Sequence, residues 1–327
     1  MENYIPSDYS LISFPSIGLE VNPPREFTLF GDFSIRLYGL IIAIGMLLAV
    51  VYALRRCKQF GLTQDHLLDG VLWIAPFAIL CARLYYCAFD WESFAKNPIS
   101  ILYIWNGGLA IYGGVIGAVI GVTVFCYFKK IKLPALLDLV LLGFLIGQSI
   151  GRWGNFFNRE AFGVETDIFI RMGLKNVYNG IYTYHHPTFL YESLWNAVGF
   201  VLLHFLSKKR QYDGQIALGY VAWYGVGRTF IEGLRTDSLY WGDVRVSQIL
   251  AGASAIAAAV ALFVLSTRKH DPAKLLVNQV LAAEEAAEAE ELAAREDAEE
   301  ESDETLEAEE AAEPAQEQKE TEEPEKD

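Results

Sequence analysis

Two arginines, with the amides and acids spaced around them, are the side chains of this 327-residue chain best placed to do chemistry. Arg152 lies in Gly151-Arg152-Trp153-Gly154-Asn155-Phe156-Phe157-Asn158-Arg159-Glu160-Ala161-Phe162-Gly163, directly after the apolar stretch from Leu133 to Ile150. Arg228 sits inside a second apolar stretch, with Glu232 one helical turn later. A guanidinium does not discharge, and charge at membrane depth is costly and marks substrate or ion pathways. Its planar fork gives two parallel, charge-assisted hydrogen bonds to a phosphodiester. Those bonds strengthen in a dry cavity as charge builds on a departing phosphate. Two such groups beside amides and carboxylates point to a site for a phosphate carried by a lipid.

Tyr224, Arg228, Glu232 and Arg235 are spaced four, four and three apart, one stripe on a helix. At 1.5 Å per residue, Arg228 lies about 18 Å from Ile216, and Arg152 about 24 Å from Leu136. Both then reach the same level near one membrane surface. The simpler alternatives are an Arg228–Glu232 pair that only packs helices and an Arg152 that snorkels to the head groups. Neither needs Tyr224 and Arg235, or Asn155, Asn158 and Glu160. A further group, His185-His186-Pro187-Thr188-Phe189-Leu190-Tyr191-Glu192, places Glu192 inside an apolar helix, where it requires a partner such as these arginines. Adjacent histidines rarely bind one ion together, so no metal is expected. No P-loop or dinucleotide fingerprint occurs.

Seven apolar stretches must carry these groups, near 35–54, 67–89, 109–128, 134–153, 188–207, 214–233 and 247–267. Each has about the length that crosses a ~30 Å hydrocarbon core. The expected fold is all-α: a polytopic membrane protein of seven transmembrane helices with a small outer-side segment between spans four and five. Seven crossings put Arg55, Arg56 and Lys58, then Lys129, Lys130 and Lys132, then Lys208, Lys209 and Arg210, then Arg268 and Lys269, on one side. The positive-inside bias makes that side cytoplasmic, leaving the N-terminus outside. Three regions follow: an outer arm over 1–34, a catalytic membrane domain over 35–267 and an acidic cytoplasmic tail over 268–327.

The net charge of −15 belongs to that tail, which has 23 acidic residues against 4 basic ones beyond His270, leaving about +4 for residues 1–270. Such a block reads as a solvated, disordered segment, or through its Ala and Glu content as a wet helix. The segment 154–187, rich in Gly, Asn, Tyr and Thr, has the length of a functional loop. Gly113, Gly117 and Gly121 at four-residue spacing allow close approach to a neighbouring helix. Cys57, Cys81, Cys87 and Cys126 lack metal-ligand spacing and read as small packing residues. Met1-Glu2-Asn3-Tyr4 carries no basic n-region, so no cleaved signal peptide is expected.

These motifs resemble the bacterial phosphatidylglycerol–prolipoprotein diacylglyceryl transferases. Gly151 to Gly163 fits that family's Gly-Arg-x-Gly-Asn-Phe-x-Asn-x-Glu-x-x-Gly throughout. Arg36-Leu37-Tyr38-Gly39, His186-Pro187-x-x-Leu190-Tyr191-Glu192 and Tyr224-Gly225-x-x-Arg228-x-x-x-Glu232-x-x-Arg235 follow the same order, over about residues 30–268. The resemblance implies transfer of diacylglycerol from phosphatidylglycerol to the thiol of a prolipoprotein lipobox cysteine, forming a thioether and releasing glycerol phosphate. It implies no cofactor, no metal and no nucleic acid; the partners are the two substrates and membrane lipids. By motif position Arg152 and Arg228 hold the phosphate and stabilise the leaving group. Asn155, Glu160 and Gly163 shape the site, and Tyr38, Glu192, Tyr224, Glu232 and Arg235 make further contacts.

One position departs from the family. Many members have His-Gly-Gly at the third-span entry, proposed as the base for the thiol; here it is Tyr112-Gly113-Gly114. A phenol, ordinarily of pKa about 10, is a poor base at neutral pH. Either arginines acidify it, or a carboxylate such as Glu232 takes the proton, or the thiol ionises in a positive site without a dedicated base. The last is preferred. Outside the resemblance, a small-anion transporter is the strongest competing class, but no internal repeat is visible. An intramembrane protease lacks its Gly-x-Ser-x-Gly or paired aspartates.

Overall fold

The computed structural model describes residues 9–30, 33–104, 107–238, 240–242 and 244–317. The expectation about the first four residues falls outside these. In chain order the elements begin with strands β1 (Tyr9–Phe14), β2 (Leu19–Val21), β3 (Glu26–Phe30) and β4 (Phe33–Arg36). Helices α1 (Leu37–Arg56), α2 (Gln64–Phe89), α3 (Trp91–Ala95), α4 (Ile111–Lys129) and α5 (Leu133–Asn158) follow. Then come β5 (Met172–Asn176), β6 (Tyr182–His185), α6 (Thr188–Ser207), α7 (Gln215–Leu234), β7 (Tyr240–Trp241), β8 (Val244–Arg245), α8 (Val246–Ser266) and α9 (Leu276–Glu317). Residues 1–277 form one compact unit and 278–327 another. The acidic segment is helical as far as Glu317.

Six helices (α1, α2, α4, α5, α6 and α8) are long and apolar enough to cross a membrane among the described residues. Helix α7 has the length but not the apolarity, and the reason is local. Its sequence replaces aliphatic residues with Tyr220, Tyr224, Arg228, Glu232 and four glycines, and the charged stripe is turned inward to α5 and α6.

Small residues let the helices approach. Gly45 and Ala49 of α1 meet Gly147 and Gly143 of α5; a Cβ on Gly45 would lie 3.2 Å from the Gly147 carbonyl. Gly113, Gly117 and Gly121 of α4 face Tyr85, Cys81 and Phe77 of α2. Gly225 of α7 lies against Ala251 and Ala255 of α8, where an added Cβ would stand 2.7 Å from the Ala251 carbonyl. Such contacts supply the dispersion that holds helices together where lipid removes the hydrophobic drive. Large apolar side chains then face outward, among them Met46, Leu47, Trp73, Ile116 and Phe263.

Helices α6 and α7 are locked by a reciprocal pair. The indoles of Trp195 and Trp223 stack with centroids 4.3 Å apart. Each Nε1–H donates to the other's backbone carbonyl at 2.9 Å. Trp195 fills the space a side chain would occupy at Gly227, and Trp223 the space at Gly199. The start of α7 is held from another helix: Asp138 of α5, fully buried, accepts from the Gly214 and Ala217 amides, both at 2.8 Å. These are N-terminal donors that the helix cannot satisfy itself.

The main apolar core, including Phe60, Leu139, Leu142, Leu145, Leu203 and Ile216, sits towards the basic ends of the helices. There Lys132 donates to the Lys274 carbonyl at 2.8 Å, and Lys129 pairs with Asp69 at 2.6 Å. At the other end lies a small cap that the all-α expectation omits. Strands β2, β1, β5 and β6 form an antiparallel sheet in that order, joining the N-terminal arm to the segment between α5 and α6. Ile12, Phe162, Met172, Leu174 and Phe189 make its core. Arg159, ending α5 in a left-handed conformation (φ 55°), ties the cap down by donating to Ser10, Asn22 and Pro23.

Gly227→Ala should lower the thermal midpoint in detergent, by the equivalent of about 1–3 kcal/mol of overpacking. Gly70→Ala, whose Cβ would have no neighbour nearer than 3.6 Å, should not. Equal midpoints for the two variants would contradict the clamp.

Candidate active site

Glu192 enters the bundle four residues past the start of α6, a position set by Pro187, after which the helix begins. The residue is 2% exposed. Three guanidiniums from two other elements converge on its carboxylate. Arg152 of α5 donates from Nη2 to Oε1 at 2.7 Å and holds Nε 2.7 Å from Oε2. Arg228 of α7 reaches Oε1 from Nη1 at 3.1 Å. Arg235, which ends α7, stands 3.9 Å from Oε2.

Each arginine has a second acid or amide. Arg228 Nη2 pairs with Glu232 of its own helix at 2.5 Å. The intrahelical pair thus exists, but Arg228 also bonds across to α6. Arg152 Nη1 donates to Asn155 Oδ1 at 3.3 Å, and Asn155 Nδ2 donates to Glu160 at 2.9 Å. Arg235 grips Asp237 with two bonds of 2.9 and 2.7 Å. Burial alone would raise the Asp237 pKa, but the Arg235 bonds and charge outweigh it and hold the carboxyl below its ordinary value. The phenol of Tyr224 lies close enough to feel Glu192, Arg228 and Arg152, and that of Tyr38 faces Glu160 and Arg152. The Tyr38 ring also packs on Gly154, leaving no room there for a side chain.

Gly163 serves the frame. It forms a bridge with Arg235, donates its amide to the His186 carbonyl at 2.9 Å, and lies where a Cβ would meet the His186 side chain. The next residue, Val164, bonds to the Leu234 carbonyl at 2.7 Å. The short run 161–164 therefore stitches the start of α6 to the end of α7. Thr188 adds a hydroxyl bond to the Ala161 carbonyl.

Geometrically the cluster presents two guanidinium forks, from α5 and α7, to one buried carboxylate. Arg152 and Arg228 retain 24% and 18% side-chain exposure, so neither arginine is sealed inside the bundle as Glu192 is.

The family profile for prolipoprotein diacylglyceryl transferase matches residues 24–264. The chain belongs to this family. Among curated relatives, a phosphatidylglycerol–prolipoprotein diacylglyceryl transferase of Limosilactobacillus reuteri (strain DSM 20016) is 43% identical over 251 residues, covering 73% of this chain and 89% of the relative. A transferase of the same name from Listeria monocytogenes serotype 4a (strain HCC23) is 44% identical over 227 residues, covering 68% and 82%. One from Lysinibacillus sphaericus (strain C3-41) is 43% identical over 242 residues, covering 71% and 88%.

Within this diacylglyceryl transferase, Arg152, Asn155, Glu160, Glu192, Arg228, Glu232 and Arg235 form one bonded network, with Tyr38, Tyr224 and Gly163 against it. Tyr112 is not part of it. It lies at the start of α4, 42% exposed, beside the α2–α4 contact, and among the described residues no hydrogen bond or ion pair links it to the arginines. Two contributors, Asp237 and Gln148, escaped the sequence reading, and His185 was noted there only as part of the histidine pair. Asp237 lies just past the motif; Gln148 Nε2 donates to the Tyr220 hydroxyl at 3.0 Å one turn below the arginines; His185 supports the Gly163 corner. Only the Arg235–Asp237 spacing carried a visible signal.

Removing the shared carboxylate leaves Arg152 without an acid partner and takes one of two from Arg228 and Arg235. Glu192→Gln, of nearly equal shape, should destabilise the protein by about 3 kcal/mol, read as a fall in thermal midpoint. An unchanged midpoint would remove Glu192 from its central place. His185 supplies a pH test. Its Nδ1 is 3.0 Å from the Gly163 carbonyl and its Nε2 2.9 Å from Thr183 Oγ1. Burial lowers its pKa from the ordinary 6.5. The unfolded chain therefore protonates first, so this stability is complete above about pH 6.5 and declines as the pH falls below it. The midpoint of the wild type should fall between about pH 7 and pH 5 more steeply than that of His185→Asn; parallel profiles would contradict this.

Proposed function

We propose that this chain transfers the diacylglyceryl group of phosphatidylglycerol to the lipobox cysteine thiol of prolipoproteins, forming a thioether and releasing glycerol phosphate. The observation that carries the reading is the convergence of the Arg152 and Arg228 forks on one carboxylate in a chain of this family. A phosphodiester offers a pair of acceptor oxygens that a guanidinium fork can grip as it grips that carboxylate, with the same single negative charge.

The thiolate attacks the glyceryl carbon, the carbon–oxygen bond to phosphate breaks, and the electron pair leaves on the phosphate oxygen. Arg152 and Arg228 hold that phosphate in line and stabilise its growing charge; Glu192, Glu232 and Asn155 fix the two forks. Most of the acceleration then comes from placement and charge stabilisation. Arg235, Tyr224, Tyr38 and Glu160 complete the walls, and Gly163 keeps the corner closed. Glu232 is committed to Arg228 and Tyr112 lies apart from the network. Both facts favour a thiol that ionises in the positive field without a dedicated base.

In the membrane we assign seven crossings, α7 included, with the sheet-bearing cap and the Glu192 cluster outside and the acidic segment in the cytoplasm. The contacts that gather Arg56, Lys129, Lys132 and the 272–277 segment at one end support this, since basic clusters favour the cytoplasmic side. A small-anion transporter is set aside by the family membership.

Arg152→Lys and Arg228→Lys should each lower kcat/KM for a lipobox peptide with phosphatidylglycerol by about 10²-fold or more, because an ammonium cannot reproduce the fork. Peptide mass gain with release of glycerol phosphate is the assay; near wild-type rates for either variant would defeat the reading. Tyr112→Phe should keep substantial activity, and loss of all turnover in a folded variant would restore a phenol base.

A further inference from the structure

A second group of cations lies at the opposite end of the bundle, where the transfer reaction has no use for it. Arg56, 6% exposed, donates to Tyr52, Gln59 and Ser207 and has no carboxylate partner among the described residues. Arg210, whose side chain is also 6% exposed, stacks 4.2 Å over the Phe60 ring, which Arg56 flanks at 5.5 Å. Nε and Nη2 of Arg210 are buried and hydrogen-bond nothing among the described residues. The nearest acid, Asp213, keeps Oδ1 4.0 Å from Arg210 Nε, too far for a hydrogen bond.

The carboxylates nearby make their hydrogen bonds to backbone amides, and Asp213 Oδ1 makes none. Asp213 Oδ2 accepts from the Leu276 amide at 2.9 Å, and both oxygens of Asp138 accept from the start of α7. The Arg210–Asp213 pair therefore leaves donors and an acceptor buried without hydrogen bonds, and such unmade bonds of charged groups are costly. Beside them opens a cleft of about 400 Å³ lined by Gln59, Ser207, Lys208, Arg210, Leu275 and Val277. Its walls combine a guanidinium with unmade hydrogen bonds, an ammonium, an amide and a hydroxyl with two apolar side chains.

We propose that this cleft binds a phosphate group, with Arg210 as the fork and Lys208 as the rim cation. It adjoins the lipid-facing residues Leu202, Phe205 and Leu206 of α6, which are 46%, 60% and 58% exposed. An anionic lipid head group with its acyl chains along α6 is therefore the favoured source over free phosphate. Anionic lipids concentrate basic segments at a membrane surface by the same charge.

Hydrogen exchange of the full chain in nanodiscs tests this, comparing phosphatidylcholine alone, phosphatidylcholine with phosphatidylglycerol, and phosphatidylcholine with inorganic phosphate added. Phosphatidylglycerol should slow exchange in residues 205–213 and 272–277 by about tenfold, as for a ligand at about ten times its Kd. Arg210→Gln should abolish that slowing and Lys208→Gln weaken it, while Lys208→Gln leaves the transfer rate unchanged. Slowing by inorganic phosphate but not by the lipid supports the phosphate site with the soluble source. No slowing in either bath, or the same slowing in Arg210→Gln, overturns the proposal and leaves an Arg210–Asp213 pair only.

Discussion

A single buried carboxylate organises the half of this protein away from the basic clusters. Glu192 takes charge-assisted bonds from Arg152 and Arg228 and faces Arg235, so helices α5, α6 and α7 meet at one point. Apolar surroundings strengthen such bonds and make any unpaired member expensive. The carboxylate therefore fixes where two long, flexible side chains point. In the proposed reaction the phosphate shares these two forks with Glu192, taking over at least one of its bonds.

That convergence depends on helices held at fixed heights. The Trp195–Trp223 pair sets α6 against α7, one turn from the level of Glu192 and Arg228. Asp138 pins the other end of α7 to α5, and the glycine-lined α1–α5 and α7–α8 contacts hold the flanks. At the end away from the basic clusters Gly163, Arg159 and the four-stranded sheet close the chain over the cluster. Stability and site geometry thus use the same contacts. The α2–α4 pair, which carries Tyr112, packs mainly on itself and joins the rest near the basic end.

Helices were the most legible part of the sequence, since long apolar runs bounded by Lys/Arg clusters or Pro leave few alternatives. The stretch 188–207 coincides with α6, whereas α5 continues five residues past the expected 153 because Gly154 to Asn158 remain helical. The stripe Tyr224, Arg228, Glu232, Arg235 was legible because spacing alone puts it on one face. The sheet was not. Met172-Gly173-Leu174-Lys175-Asn176 is short, shows no clear alternation, and pairs with a strand more than 150 residues away. The sequence made the arginines candidate partners of Glu192 but did not show that it, rather than Glu232, is the one they share. That choice is made by the depth of each residue in its helix and by the tryptophan clamp, which are properties of packing.

The most direct test of the central claim is a structure of the full chain with phosphatidylglycerol bound. The account predicts a phosphate within hydrogen-bond distance of both Arg152 and Arg228, with at least one bond to Glu192 given up. A phosphate bound to neither arginine, with both still closed on Glu192, would contradict it.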